Sequence, residues 1–167
     1  MEHPVELSDL SVEEKVGQLF MLAFEGSTPD EPRVLIRDYL VGGVYLSQDN
    51  LVGVSQAVHL LNALQEMAKD TPHALPIVAA CDHEGAWTVL NPYTASGPGN
   101  LALGATSPAV VEEMYAVMGH ELRAVGIAAD LAPVADVNTN PRNPIIGARS
   151  FGEHPQRVAG AVQAAVR

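Results

Sequence analysis

The sequence predicts an α/β protein with a parallel sheet, and three observations predict it. Short apolar runs alternate with segments whose apolar residues recur at helical spacing, and the alternation repeats four times. The clearest run, Leu75-Pro76-Ile77-Val78-Ala79-Ala80-Cys81, is opened by a proline and holds no charge, as a strand covered on both faces requires. That run ends in Asp82-His83-Glu84-Gly85, two carboxylates and a histidine at a strand terminus, where α/β folds carry their functional groups.

The elements follow in order. Ser11-Val12-Glu13-Glu14 is a capping box that starts a short helix. The continuous apolarity of Leu19 to Phe24 predicts a first buried strand ending at Glu25-Gly26. Thr28-Pro29-Asp30-Glu31 starts a second helix running to about Leu40, since proline suits the first helical position and acids suit the helix dipole. Gly42-Gly43 is read as its C-terminal stop, before a short strand over Val44-Tyr45-Leu46. Val54, Ala57, Val58, Leu61, Leu64 and Ala68 mark a third helix that breaks near Thr71-Pro72, and the run described above is the third strand. His83 to Gly104, with Asn91-Pro92 and Gly97-Pro98-Gly99, reads as a long loop, and loops of this length in compact domains tend to be functional. Ser107-Pro108 opens a helix with the stripe Val111, Met114, Met118, Leu122 and Val125, stopped by Gly126. Ile127 to Val137 holds the fourth strand. A second irregular loop, Asn138 to Gly152, leads to a last helix from Pro155 that buries Val158, Ala161, Val162 and Ala165 and ends at Arg167 without a cap. Four such units fit a small doubly wound sheet and half of an eight-stranded barrel equally, and periodicity does not choose between them.

Composition narrows the function. The chain has 167 residues, the size of one domain with a normal core, and is 47% hydrophobic and 17% charged, as a globular protein is. Its formal charge of -11, with 20 acidic residues spread along the chain, repels phosphate backbones and anionic lipid, which argues against nucleic-acid and membrane partners. The single cysteine, Cys81, excludes an internal disulfide and sits within an apolar strand as a core residue. Met1 to Lys15 has no basic and apolar leader pattern, so the expectation is a cytoplasmic protein without a signal peptide. No run approaches the ~18 apolar residues of a membrane span.

Strand alternation puts Asp82 and Glu84 on one side and His83 on the other. Asp82 is a candidate acceptor for substrate hydroxyls, set against the plain reading of a loop cap. Glu84, before Gly85, is the weaker candidate, since it reads equally as support for the loop backbone. Consecutive strand residues do not converge, and His59, His73, His120 and His154 fall on or near predicted helices, so no metal site is expected. Gly97-Pro98-Gly99-Asn100-Leu101-Ala102 has the form of a dinucleotide loop, but no strand precedes it, and no cofactor is expected. In the loop Asn138 to Gly152, Arg149 has the fork geometry to hold a pair of sugar hydroxyls or Asp82.

At these residues the chain resembles glycoside hydrolase family 3, and more closely its β-N-acetylhexosaminidase-like branch than its β-glucosidases. The similar stretches are Glu13-Glu14-Lys15-Val16-Gly17-Gln18, Val41-Gly42-Gly43-Val44, Asp82-His83-Glu84-Gly85, Pro98-Gly99-Asn100-Leu101-Ala102-Leu103-Gly104-Ala105-Thr106, Ala132-Pro133-Val134-Ala135-Asp136-Val137-Asn138, and Ile146 to Pro155, in family order. The resemblance implies that residues 1–167 form about four βα units, the N-terminal half of a TIM-type (β/α) barrel domain. It implies retaining hydrolysis of β-linked sugars through a covalent glycosyl-enzyme, with Asp82 and Arg149 as ligands of the sugar. Where many members continue with Gly-Arg, this chain has Ala86-Trp87-Thr88-Val89-Leu90, and Trp87 offers a face for sugar stacking. By the same resemblance the lysine and histidine pair, the general acid and the nucleophilic aspartate belong to later segments. The expectation is therefore a chain with the sugar clamp and no catalytic residue, inactive alone, as a non-catalytic sugar-binding or interaction module would also be. An open half-barrel exposes sheet edges, so self-association or pairing with the remaining half is expected.

Overall fold

The computed structural model describes residues 5–90 and 92–167, so the first four residues and Asn91 of the expected Asn91-Pro92 turn lie outside the described residues. Four strands form one sheet in the order β1-β2-β3-β4, as consecutive βα units require. The chain packs as two compact units, Met1–Cys81 with Val125–Ala129, and Asp82–Ala124 with Asp130–Arg167.

The first unit begins with α1 (Val12–Gln18), and its capping box forms as the sequence predicts. Glu14 donates its N–H to Ser11 Oγ at 3.1 Å, and Ser11 returns its own to Glu14 Oε2 at 2.8 Å. Then come β1 (Met21–Ala23), α2 (Arg33–Arg37), β2 (Gly43–Leu46), α3 (Val54–Lys69) and β3 (Val78–Cys81). β1 runs parallel to β2 with Leu22 opposite Val44, and β2 parallel to β3 with Val44 opposite Ala79. Ala128 donates its N–H to the Ala79 carbonyl at 2.9 Å, leading into β4 (Ala129–Asp130). Ile36, Val44, Leu46, Leu60, Leu64 and Ala80 fill the core of this unit.

Three expectations here are corrected. β1 lies at the edge of the sheet and is not the buried strand expected: Met21 is 38% accessible, and Phe20 just before it 51%. α2 has five residues and not a dozen, since Pro32 sits at its N-cap and the preceding residues turn instead. Gly42-Gly43 is not the helix stop. Leu40 takes the left-handed turn with φ 52°, and the glycines allow close approach: a Cβ on Gly42 would lie 2.4 Å from the Gln18 carbonyl oxygen.

The second unit contains α4 (Asn100–Leu103), α5 (Pro108–Val125, its last residue in the first unit) and α6 (Pro155–Ala165). The predicted stripe of α5 is realised: Val111, Met118, Leu122 and Val125 are buried, and Val111 and Met118, with Met114 packed against them, join Leu103, Tyr115, Phe151, Val158, Ala161 and Ala164. α5 stops before Gly126, whose φ of 102° suits glycine. The loop from His83 is interrupted by α4, a helix too short to show periodicity. β4 spans two residues where the sequence predicts a strand within Ile127 to Val137. Pro133 has no N–H to donate to a ladder, and the chain is irregular from Leu131 onward. Among the described residues no helix is long and apolar enough to cross a membrane.

Candidate functional site

The carboxylates singled out in the sequence fall just past the strand. β3 ends at Cys81, so Asp82, His83 and Glu84 lie beyond it and strict alternation no longer applies. Asp82 is half-buried, whereas His83 and Glu84 are both enclosed, at 0% and 3% exposure, instead of facing opposite sides. Glu84 donates its N–H to the Trp87 carbonyl at 2.7 Å, closing a tight turn through Gly85, which has φ 84°. That turn leaves the Trp87 side chain exposed.

Arg149 arrives from a 3-10 turn, Gly147–Arg149, in the loop after β4. Its fork meets Glu84 and not Asp82. Nε donates to Oε2 at 2.8 Å and Nη2 to Oε1 at 2.7 Å, a bidentate pair in which the carboxylate is enclosed and the guanidinium remains 38% exposed. The Glu84 hydrogen bonds raise the Arg149 pKa above its ordinary value, and the charges of Glu84, Asp82 and Asp136 add to this. Glu84 is thus occupied by the arginine, while Nη1 donates to the Ile145 carbonyl at 3.5 Å.

The loop around Arg149 is held by its own polar groups. Asn140 Oδ1 accepts from the Arg142 N–H, and Asn143 Oδ1 from those of Ile145 and Ile146, so these oxygens shape the turn. Ser150 Oγ donates toward the carbonyls of Asp136 at 2.6 Å and Gly152 at 3.0 Å.

Two residues that the sequence reading did not single out complete the site. Asn100, fully buried at the start of α4, donates through Nδ2 to the Arg149 carbonyl at 2.8 Å and accepts through Oδ1 from the Tyr115 hydroxyl at 2.8 Å. Burial pushes the Tyr115 hydroxyl up to about 12. Asp130, the last residue of β4, accepts the His83 N–H at 2.9 Å, and burial first, with the charges of Asp82 and Glu84 adding, pushes its carboxyl up to about 6. Asn100 lies inside one of the family-like stretches, which was its only signal. Asp130 sits in a run that reads as strand interior.

Chemically the arrangement has the groups that could bind hydroxyls: a half-buried carboxylate, an oriented and partly exposed guanidinium, and an exposed indole. The family model for the glycosyl hydrolase family 3 N-terminal domain matches residues 11–167. Beta-hexosaminidase A of Pseudoalteromonas piscicida is 37% identical over 133 residues, which are 76% of this chain and 22% of that protein. A Cellulomonas fimi protein, beta-N-acetylglucosaminidase/beta-glucosidase, is 33% identical over 154 residues, 92% of this chain and 26% of that one. Among solved structures, the family 3 β-N-acetylglucosaminidase of Paenibacillus sp. str. FPU-7 superposes with a TM-score of 0.90 at 38% identity, covering 95% of this chain and 30% of that chain. The β-N-acetylhexosaminidase of Beutenbergia cavernae superposes with a TM-score of 0.82 at 32% identity, covering 94% and 49%. This chain spans less than half the length of each of them. Of the two architectures compatible with the βα repeats, the structure is therefore the barrel type, and the chain belongs to glycoside hydrolase family 3 as part of its N-terminal (β/α) barrel domain.

Proposed function

We propose that this chain is the sugar-gripping part of a retaining glycoside hydrolase acting on β-linked N-acetylhexosaminides. The observation that carries the reading is the Glu84–Arg149 pair beside Asp82. Glu84 fixes the plane of the guanidinium, so the remaining N–H groups of Arg149 donate to sugar hydroxyls. Asp82 accepts from hydroxyls, and Trp87 stacks on the apolar face of the ring. Held in this way, the sugar is bound through positions remote from the breaking bond, and that binding energy helps distort the ring toward its oxocarbenium-like transition state.

Retaining hydrolysis needs one carboxyl group as nucleophile and another as acid. Within this site Glu84 is engaged by Arg149 and Asp130 by the His83 N–H. The resemblance to family 3 assigns the acid and nucleophile to later parts of the barrel, and on this reading residues 1–167 bind sugar without cleaving it. The test is hydrolysis of aryl β-N-acetylglucosaminide and aryl β-glucoside by residues 1–167 and by the chain extended with whatever its gene encodes after Arg167. Turnover is expected only in the extended chain, with the N-acetylglucosaminide preferred. Turnover by residues 1–167 overturns the assignment. A preference for the glucoside favours the second reading, a β-glucosidase, which the double name of the Cellulomonas fimi relative keeps open.

The exposed apolar run Leu19, Phe20 and Met21, which leads into the edge strand β1, fits pairing with a second copy or with the strands that complete the barrel in longer relatives. Light scattering of residues 1–167 is expected to show association, and a monodisperse folded monomer at low concentration counts against it.

A further inference from the structure

The sugar-gripping reading leaves the half-buried carboxylate of Asp130 without a role. Asp130 reaches from the end of β4 to accept the His83 N–H, across 47 positions of sequence. The stretch it holds joins Asp82 to Glu84 and lies beyond the last residue of the β3 ladder, where strand hydrogen bonds no longer fix the backbone. On the far side, Glu84 is held through its N–H by Trp87 and through its carboxylate by Arg149. On the near side, the hold on the intervening peptide is Asp130.

We propose that Asp130 is a positioning residue for sugar binding, pinning the His83 peptide so that Asp82 presents its carboxylate to the sugar while Glu84 turns back to Arg149. The inference rests on the proposed sugar site. A neutral side chain of the same shape would accept the same N–H, yet the position carries a carboxylate among carboxylates. Asp82 and Glu84 face it from the loop after β3, Tyr115 feels its charge from α5, and Arg149 joins the cluster through Glu84. These neighbours and burial bring the Asp130 pKa to about 6. A charged acceptor holds an N–H more strongly than a neutral one, so the pin tightens above pH 6 and slackens below it.

The experiment is calorimetric titration of N-acetylglucosamine into the wild-type chain, Asp130→Asn and Asp82→Ala at pH 5.5 and 7.5. Asn keeps the acceptor and the shape but not the charge. Wild-type affinity is expected to fall roughly three- to tenfold from pH 7.5 to 5.5, the difference between a charged and a neutral hydrogen bond. Asp130→Asn is expected to bind at pH 7.5 as the wild type does at pH 5.5, with little further change between the two. If Asp130→Asn keeps the wild-type affinity and pH profile while Asp82→Ala loses binding, Asp130 is a structural residue only, and the inference falls with the sugar site intact. If Asp82→Ala binds as the wild type does, or the wild type binds no sugar, the site reading itself falls and this inference with it.

Discussion

Arg149 grips the enclosed carboxylate of Glu84 through two hydrogen bonds, at 2.8 and 2.7 Å, although 65 positions separate them in sequence. The pair joins the turn after β3 to the loop after β4 and aligns one edge of the guanidinium, leaving the other outward. Because Glu84 is enclosed and Arg149 is not, the two partners answer differently to substitution.

Arg149→Met leaves a buried carboxylate unpaired and is expected to destabilise the second unit by about 2–3 kcal/mol, below the full cost of breaking a buried pair because the arginine is partly solvated. Glu84→Gln with Arg149→Met recovers part of that loss, since no charge remains buried. Urea unfolding of the two single variants and the double variant measures the coupling. Additive losses would show that the pair contributes no mutual energy.

Asn100 is the second tie to the same loop. Asn100→Leu strands the Tyr115 hydroxyl and the Arg149 carbonyl together, and each orphaned polar group costs about 1–3 kcal/mol. The expected result is a loss of roughly 2–4 kcal/mol in unfolding free energy, with a further drop in sugar affinity because the backbone of Arg149 is released. Tyr115→Phe in the Asn100→Leu background should recover some of the stability and none of the affinity. Recovery of both would place Asn100 outside the sugar site.

These ties also show where the sequence was legible. β2, β3, α3 and α5 follow from local pattern, because a buried parallel strand is a plain apolar run and a long half-buried helix repeats its stripe. β1 has the same apolar run, but it lies at the edge of the sheet with Met21 exposed, and burial is a property of neighbours. Asp82 and Arg149 stand out as a carboxylate past a strand and an arginine in a glycine-flanked loop. Their geometry does not: the fork of Arg149 meets Glu84, 65 positions away, and no local pattern shows that pairing. Asn100 and Asp130 act on groups 49 and 47 positions away, and no spacing rule reaches so far.

Gly104 follows α4 where a Cβ would lie 2.0 Å from the Phe151 carbonyl oxygen. Its φ of -62° suits any residue, so the requirement for glycine is close approach of backbone and not a left-handed turn. Gly104→Ala must therefore push α4 away from the chain that carries Arg149 and Phe151. A loss of about 3 kcal/mol or more is expected, comparable to overpacking a rigid core. Limited proteolysis should cut between Ser150 and His154 faster in the variant, and an unchanged digestion pattern would show that the backbone yields at little cost.

The pH dependence of stability sets two neighbours against each other. His83 is fully enclosed, and burial pushes its pKa below the ordinary 6.5, against the Ala95 backbone and the charge of Glu121, which favour the protonated ring. Its neutral form is the folded form, so its contribution is intact above pH 6.5 and is lost as the pH falls toward its lowered folded value. Asp130 has the opposite sign. Its pKa is raised from 3.8 to about 6, so protonation favours the folded state, and its contribution is full below pH 3.8 and lost as the pH rises through about 6. Where both groups titrate, the two offset each other. His83→Phe should remove the acid-side loss and leave a protein that gains stability on mild acidification. Asp130→Asn should be more stable than the wild type at pH 7.5, by roughly 1–2 kcal/mol after allowing for solvent screening, and should lose stability more steeply below pH 6. Thermal unfolding of both variants from pH 4 to 8 reads the two slopes, and parallel curves for wild type and Asp130→Asn would mean that the carboxylate titrates no differently in the folded chain than in the unfolded one.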